Sequence, residues 1–374
     1  MFERGLILGM VLLLVCVGET LGAGKSPGIV GAYMNFGAGY SDTPEEVKAL
    51  VDEAADAGIQ FLLPMATTTS GMAMYDSKIL PHAPGEFDRL KLLIESAHKR
   101  GMKVHPWMEV NAQGPTMLEK HPDWCQMNSE GVRVGYLDPS SPDVRRYVAS
   151  IAREIAEKYD IDGISLDYVR YSGGGRFCFC DRCKAAFKKE TGLDCLEADK
   201  AKPGSGLWRK WRAWRYGQIN DEIAEVSRAV REAKPSAQVS SYVWGAHTYG
   251  PSSQVCQDFK TWIRCGWLDW INPSGYIYDR AKFIQRAKDN REAVPADFPM
   301  LITIGVRTSH GECKNAEEVK THIRDAFDAG ADGVVLFTLE WTKPFLRDLA
   351  PRDIIGTNLA LTACPGARGL CEAL

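Results

Sequence analysis

Beyond its first two dozen residues the chain has no stretch apolar enough to cross a bilayer, so nothing in the body of the sequence reads as a membrane span. It also lacks a surplus of charge. Its 45 Lys and Arg against 48 Asp and Glu leave a formal net charge of −3, which gives no electrostatic case for a nucleic-acid partner. No G-x-G-x-x-G follows the first strand pattern, which argues against a dinucleotide fold. Nothing looks like a phosphate cradle, and there is no low-complexity segment. What is present is 45% hydrophobic and 25% charged, ordinary for a globular protein. The 374 residues suffice for one large domain or two ordinary ones.

The N-terminus carries Arg4, an apolar run over 5–17, and small residues around Gly22 and Ala23. That pattern predicts a secretory signal peptide over 1–23, hence a secreted or periplasmic protein with no other membrane segment. An uncleaved anchor is the alternative. Of 11 Cys, ten remain after Cys16, an even number compatible with disulfides in an exported protein.

From residue 29 onward strand and helix patterns alternate. Strands are expected over 29–35, 59–65, 102–110, 161–167, 237–244, 268–276, 299–306 and 334–340. Helices are expected over 44–57, 86–100, 142–159, 208–234, 259–266, 280–292, 315–330 and 344–349. Several helices end in glycine directly before a strand, as at Gly58, Gly101 and Gly330. Eight such units predict an α/β protein, a single-domain (β/α)8 barrel over 24–350. A Cys-containing insertion follows strand 4 over 172–207, and a tail without periodicity covers 351–374. A doubly wound open sheet is the alternative.

A barrel of this kind places its site at the C-terminal strand ends. The ends gather carboxylates and aromatics: Tyr33 and Asn35; His105, Trp107, Glu109 and Asn111; Asp167, Tyr168 and Arg170; Tyr242, Trp244 and His247; Asn272, Tyr276 and Asp279; Glu340 and Trp341. A carboxylate on a buried parallel strand is either paired with a cation, here Arg170 beside Asp167, or placed in a working site. Carboxylates among Trp and Tyr suit sugar chemistry. One acid protonates the leaving oxygen, a second carboxylate attacks or activates water, and flat rings stack on a pyranose. Each residue also has a plainer reading. Glu109 could anchor Arg133, Glu340 could hold Lys343, Asp279 could cap a helix, and His105 could be a core histidine. Trp208, Trp211 and Trp214 alternate with Arg209, Arg212 and Arg215, a pattern that predicts a barrel-facing stripe with a solvated basic face.

The stretch Asp162-Gly-Ile-Ser-Leu-Asp-Tyr-Val-Arg-Tyr171 closely resembles the D-G-[IV]-x-[LF]-D-Y-x-R-[YF] signature of the glycosyl-hydrolase-like barrel families, which include exported bacterial proteins. Trp270-Ile-Asn-Pro-Ser-Gly-Tyr276 resembles their W-I-N-P-M-x-Y strand, with Ser274 where Met is usual. The resemblance implies that Asp167 is a catalytic carboxylate. It does not identify the second, for which Glu340 is the first choice and Glu109 the next. Tyr33, His105, Trp107, Tyr168, Arg170, Trp244, Asn272, Tyr276 and Trp341 would bind substrate.

Cys178-Phe-Cys-Asp-Arg-Cys183 is a C-x-C-x-x-C run, and three thiols this close do not readily pair among themselves. The run resembles the element after the fourth strand of family 42 β-galactosidases, where three Cys and an upstream Cys hold a structural zinc. The resemblance implies a closed zinc site on Cys178, Cys180 and Cys183, with Cys125 as the fourth ligand and Cys195 as rival. The alternative is a disulfide from Cys178 or Cys180 to Cys195. Cys256 with Cys265 and Cys364 with Cys371 are further candidate disulfides. The reading as a whole is an exported glycoside hydrolase that needs no catalytic cofactor and acts on a carbohydrate. The rivals are a barrel that only binds carbohydrate and a glycan lyase or transferase.

Overall fold

The computed structural model describes residues 28–36, 41–82, 87–173, 177–246 and 255–349. The signal-like segment, His247, Cys364, Cys371 and the tail lie outside the described residues.

Eight parallel strands form the sheet: β1 Ile29–Met34, β2 Phe61–Pro64, β3 in two pieces (Lys103–Val104 and Trp107–Glu109), β4 Gly163–Asp167, β5 Gln238–Val243, β6 Trp270–Gly275, β7 Leu301–Gly305 and β8 Gly333–Phe337. Each pairs with its successor, and β8 pairs with β1. The first piece of β3 pairs with β2 and the second with β4, which closes the ring. Pro106 supplies no N–H, so β3 breaks there. The His105 N–H still donates to the Leu62 carbonyl at 2.9 Å, and the Pro106 carbonyl accepts from Ser165 at 2.9 Å.

Local chemistry sets the helix starts. Thr43 and Glu46 form a reciprocal cap on Pro44–Asp56. Asp88, Asp279 and Asn315 each accept a backbone N–H from the first turn of their helices. Asp279 is therefore the helix cap of the plainer reading. Gly58, Gly101 and Gly330 take positive φ after three helices, as their place before a strand requires.

Alternation along the strands separates two cores. Tyr33, Phe61, Leu63, Trp107, Trp270, Leu301 and Val335 fill the barrel interior. The opposite faces of the strands join the helices in a larger outer layer. Small residues make room for the rings: a Cβ at Gly31 would sit 2.2 Å from the Phe61 ring.

Several expectations are corrected. The eighth strand ends at Phe337, and Glu340 lies in the short helix Leu339–Thr342. Between β3 and its helix the chain forms an antiparallel hairpin, Cys125–Met127 with Arg133–Leu137, which carries no strong strand pattern. Trp211 and Trp214 stack on each other at 5.4 Å and pack against Phe187 of the insertion. Arg212 and Arg215 are buried rather than solvated, because aromatic rings cover their guanidinium groups: Trp208 and Tyr216 for the first, Tyr171 and Trp211 for the second. Cys178, Cys180 and Cys195 are free thiols, so no bridge joins the first two to the third. Cys265 is disulfide-bonded, whereas Cys256 keeps its thiol, so the expected pairing of these two is not made.

Candidate active site

Glu109 and Asp167 are register partners on neighbouring strands, and both sit at the C-terminal end of the barrel. Directly paired residues present their side chains on the same face, here the interior. Thr67 and Gln113 fix the backbone of Glu109. Its N–H donates to Thr67 Oγ1 at 2.8 Å, and its carbonyl accepts from Gln113 Nε2 at 3.1 Å. Beyond Asp167 the chain turns sharply, with Tyr168 at φ 54°. That turn lets the Tyr168 N–H donate back to Asp167 Oδ1 at 2.6 Å.

Both carboxyls are buried. Burial pushes Asp167 up to about 6, against the pull of the Arg170 guanidinium, the Tyr168 N–H and the Trp107 side chain. Burial and then the negative charge of Asp167 raise Glu109 well above the usual carboxylate range, with Arg170 opposing. Glu109 Oε2 has no hydrogen-bond partner among the described residues. Arg170 lies 4.2 Å from the Tyr168 ring centroid and 5.2 Å from that of Trp244, so aromatic faces hold the one cation the two acids share.

The other predicted residues fall into three places. Around the acids, Tyr33 takes a hydrogen bond from Asn272, and Tyr242 stacks on Tyr276 at 5.8 Å. The charge of Asp167 reaches Tyr33, Tyr242 and Tyr276 alike. At the junction of β8 and β1, Glu340 Oε1 accepts the Asn35 N–H at 2.7 Å, and Oε2 has no hydrogen-bond partner among the described residues. Burial raises Glu340, with hydrogen bonds from Thr338 and Asn35 opposing. Lys343 pairs with Glu53 instead. Trp341 is 42% exposed, with the Arg307 guanidinium 4.4 Å from its ring. His105 is in the third place, the far end of the barrel. It packs between the Phe61 and Trp270 rings, and burial lowers it to about 4, so it is a neutral core histidine and not a substrate-binding group.

Sequence reasoning missed Tyr136, from the hairpin after β3. Its ring lies 6.0 Å from that of Tyr168, and Glu109, Asp167 and Arg170 all act on its phenol. Arg133 from the same hairpin donates to the Cys125 carbonyl, not to Glu109.

Beside this site, Asp138, Cys178, Cys180 and Cys183 bring one ligand atom each within 4.8 Å of one another, all buried. Asp138 therefore takes the fourth corner, not Cys125. Cys125 pairs with Leu137 and shares that residue's face, whereas Asp138 is the next residue and turns the other way. Burial pushes the Cys125 and Cys195 thiols to about 11, and neither belongs to the group. Ser140 Oγ and Arg182 Nη2 donate to Asp138 Oδ2 at 2.8 and 2.9 Å. The Cys178 and Cys183 thiols hold Cys180 far below the ordinary thiol range, while burial raises their own pKa values. Three sulfurs and a carboxylate of this kind fit a zinc-type cation.

Residues 40–318 match the family described as Glycosyl hydrolase-like 10. The chain belongs to that family. Glycosyl hydrolase DigH of Escherichia coli K12 is 28% identical over 250 residues, covering 55% of this chain and 52% of that protein. The chain thus spans about half the length of the curated relatives it matches. Among solved structures, the PgaB glycoside hydrolase domain of Bordetella bronchiseptica superposes with a TM-score of 0.70 at 15% identity, over 87% of this chain and 98% of that one. A β-galactosidase from Rahnella sp. R3 gives 0.63 at 18% identity, over 83% and 50%. These likenesses bear out the (β/α)8 barrel.

Proposed function

We propose that the chain is a glycoside hydrolase that works with Asp167 and Glu109. The observation that carries this reading is the pair itself: register partners at the barrel mouth, electrically coupled, sharing Arg170 and ringed by tyrosines. Asp167, at about 6, is mostly ionised at neutral pH, and burial together with that charge raises Glu109 well above the usual carboxylate range, which favours Glu109 as the acid of the pair. Glu109 would donate its proton to the leaving oxygen while Asp167 attacks the anomeric carbon or activates water. Arg170 and the Tyr168 N–H stabilise the Asp167 anion throughout. Tyr242, Tyr276 and Trp244 offer faces for the sugar rings, with Trp341 as an outer one. Glu340 would brace the loop after β1 through Asn35.

Hydrolysis needs no cofactor in these steps. The donor set at Asp138, Cys178, Cys180 and Cys183 supports a structural zinc, closed by four protein ligands and outside the chemistry. The signal-like N-terminus supports export, which cell fractionation would test; retention of the full chain in the cytoplasm would refute it.

The test of the activity is release of reducing ends from a bacterial glycan panel. Asp167→Asn and Glu109→Gln should each lose roughly 10²–10⁴-fold in kcat. Either variant as active as the parent would end the proposal, and saturable glycan binding with no cleavage by the parent would leave a binding barrel.

A further inference from the structure

The sulfur cluster and the groups around the carboxylate pair draw on the same two connections, after β3 and after β4. The hairpin after β3 supplies Asp138 to the cluster, and to the pair it supplies Tyr136, whose ring lies 6.0 Å from the Tyr168 ring that Arg170 covers at 4.2 Å. The loop after β4 supplies Tyr168 and Arg170 to the pair and Cys178 and Cys180 to the cluster, with Cys183 in the first turn of the helix Asp181–Thr191 that follows. Tyr136 and Asp138 are two residues apart, roughly 7 Å along an extended chain.

Between them the two loops are laced together. The Phe179 N–H donates to the Met127 carbonyl at 2.8 Å, and the Met127 N–H to Cys178 Sγ at 3.3 Å. The Ser172 N–H donates to Gln126 Oε1 at 3.0 Å, while Gln126 Nε2 reaches the Leu137 carbonyl at 2.7 Å. A single ion bridging Asp138 to Cys178, Cys180 and Cys183 would join the end of the hairpin to the β4 loop covalently in all but name. Three thiolates and one carboxylate leave such a divalent site at charge −2, and Arg182 on Asp138 offsets part of it.

We propose that Tyr136 is a positioning residue for the carboxylate pair, acting through Arg170, and that a zinc-class cation bound by Asp138 and the three cysteines fixes the hairpin that presents it. The first half rests on the hydrolase reading; the second does not. The acids are faced by Arg170 and Tyr168 from the β4 loop, by Tyr136 from the hairpin, and by Tyr33, Tyr242 and Tyr276 from β1, β5 and β6. Of these, Tyr136 stands nearest to a cluster residue along the chain, two positions before Asp138.

The experiment has two arms. In the first, elemental analysis and amide hydrogen exchange are run on the purified chain, before and after chelation. One zinc per chain is expected in the parent, in Tyr136→Phe and in Asp138→Cys, and loss of zinc in Asp138→Ala. Chelation should speed exchange at least tenfold over 125–137 and 168–171 while the strands β5 to β8 stay protected. A parent without metal, or a stripped chain with unchanged exchange in both segments, overturns the clasp, and neither result depends on a substrate. In the second arm, Tyr136→Phe is assayed on a cleaved glycan. A displaced pH profile at unchanged zinc content supports positioning. An unchanged profile overturns it without touching the hydrolase reading, which Asp167→Asn tests separately.

Discussion

Asp167 holds its proton to about pH 6 because burial outweighs the help it receives from Arg170 and the Tyr168 N–H. Arg170 is the larger of those two opposing influences, so removing it should move the titration further up. Arg170→Met is expected to shift the acid limb of the kcat/KM profile above pH 6 by about one pH unit or more, with a loss of rate at pH 6 that partly recovers at pH 8. A limb that stays in place would mean that a group other than Asp167 titrates there. Glu222 shows the same physics with a different outcome. It is fully buried on the helix Gly206–Ala233, takes one hydrogen bond from Asn111 at 2.7 Å, and is pushed up to about 8 by burial. An acid raised on folding loses stability as pH climbs from its unfolded value to its folded one. The parent should therefore weaken between about pH 4.5 and 8, and Glu222→Gln, which keeps the other raised acids but not this one, should weaken less. Urea midpoints at pH 4.5 and 8.5 would read this as a gap that opens only at the higher pH.

At the scale of elements, the barrel strands and their helices were legible because the determinants are local. Caps at Thr43, Asp88, Asp279 and Asn315 and glycines at the helix ends fix each unit within a few residues. The hairpin at 125–137 was not legible, since its strands are three and five residues long and its second strand is half-buried almost throughout. With the hairpin went Tyr136 and Asp138, whose contacts are to residues far along the chain: Tyr168 for the first, Cys180 and Cys183 for the second. The C-x-C-x-x-C spacing did announce a cluster, but the upstream partner was sought among cysteines, and spacing cannot show which way Cys125 turns. The run around Asp167 marked it as a candidate; which acid stands beside it was not legible, because Glu109 and Glu340 both sit near strand ends and only the strand register puts Glu109 opposite Asp167. The barrel floor supplies a test at this scale. A Cβ at Gly163 would lie 2.3 Å from His105 Nδ1 and 2.7 Å from the Gln238 carbonyl. Gly163→Ala should cost about 1–3 kcal/mol in chemical denaturation. An unchanged midpoint would show that β4 can move outward, which a closed ring with β3 and β5 paired on either side resists.

Across the whole molecule, closure of the ring brings β1, β3, β4, β5 and β6 to one mouth, so groups far apart in the chain share one electrostatic problem. The outer layer of aliphatic side chains and the ring-filled interior secure the fold, and the mouth spends some of that stability on two buried acids. The sign follows from the direction of the shift. Between the unfolded value of 3.8 and the folded value of about 6, the native chain keeps a proton that the unfolded chain has shed. Stability thus falls across that window and stays low above it, by on the order of 3 kcal/mol for Asp167. Asp167→Asn should accordingly melt higher than the parent at pH 7–8 and no higher at pH 3.5, while losing activity. Glu109→Gln should also gain stability at neutral pH. Because the two acids repel each other, relieving one relieves part of the cost of the other, so the double variant should gain less than the sum of the singles. Additive gains in melting temperature would mean that the acids do not interact. A pair tied only by register would then have to be set aside, with Glu340 becoming the better partner for Asp167.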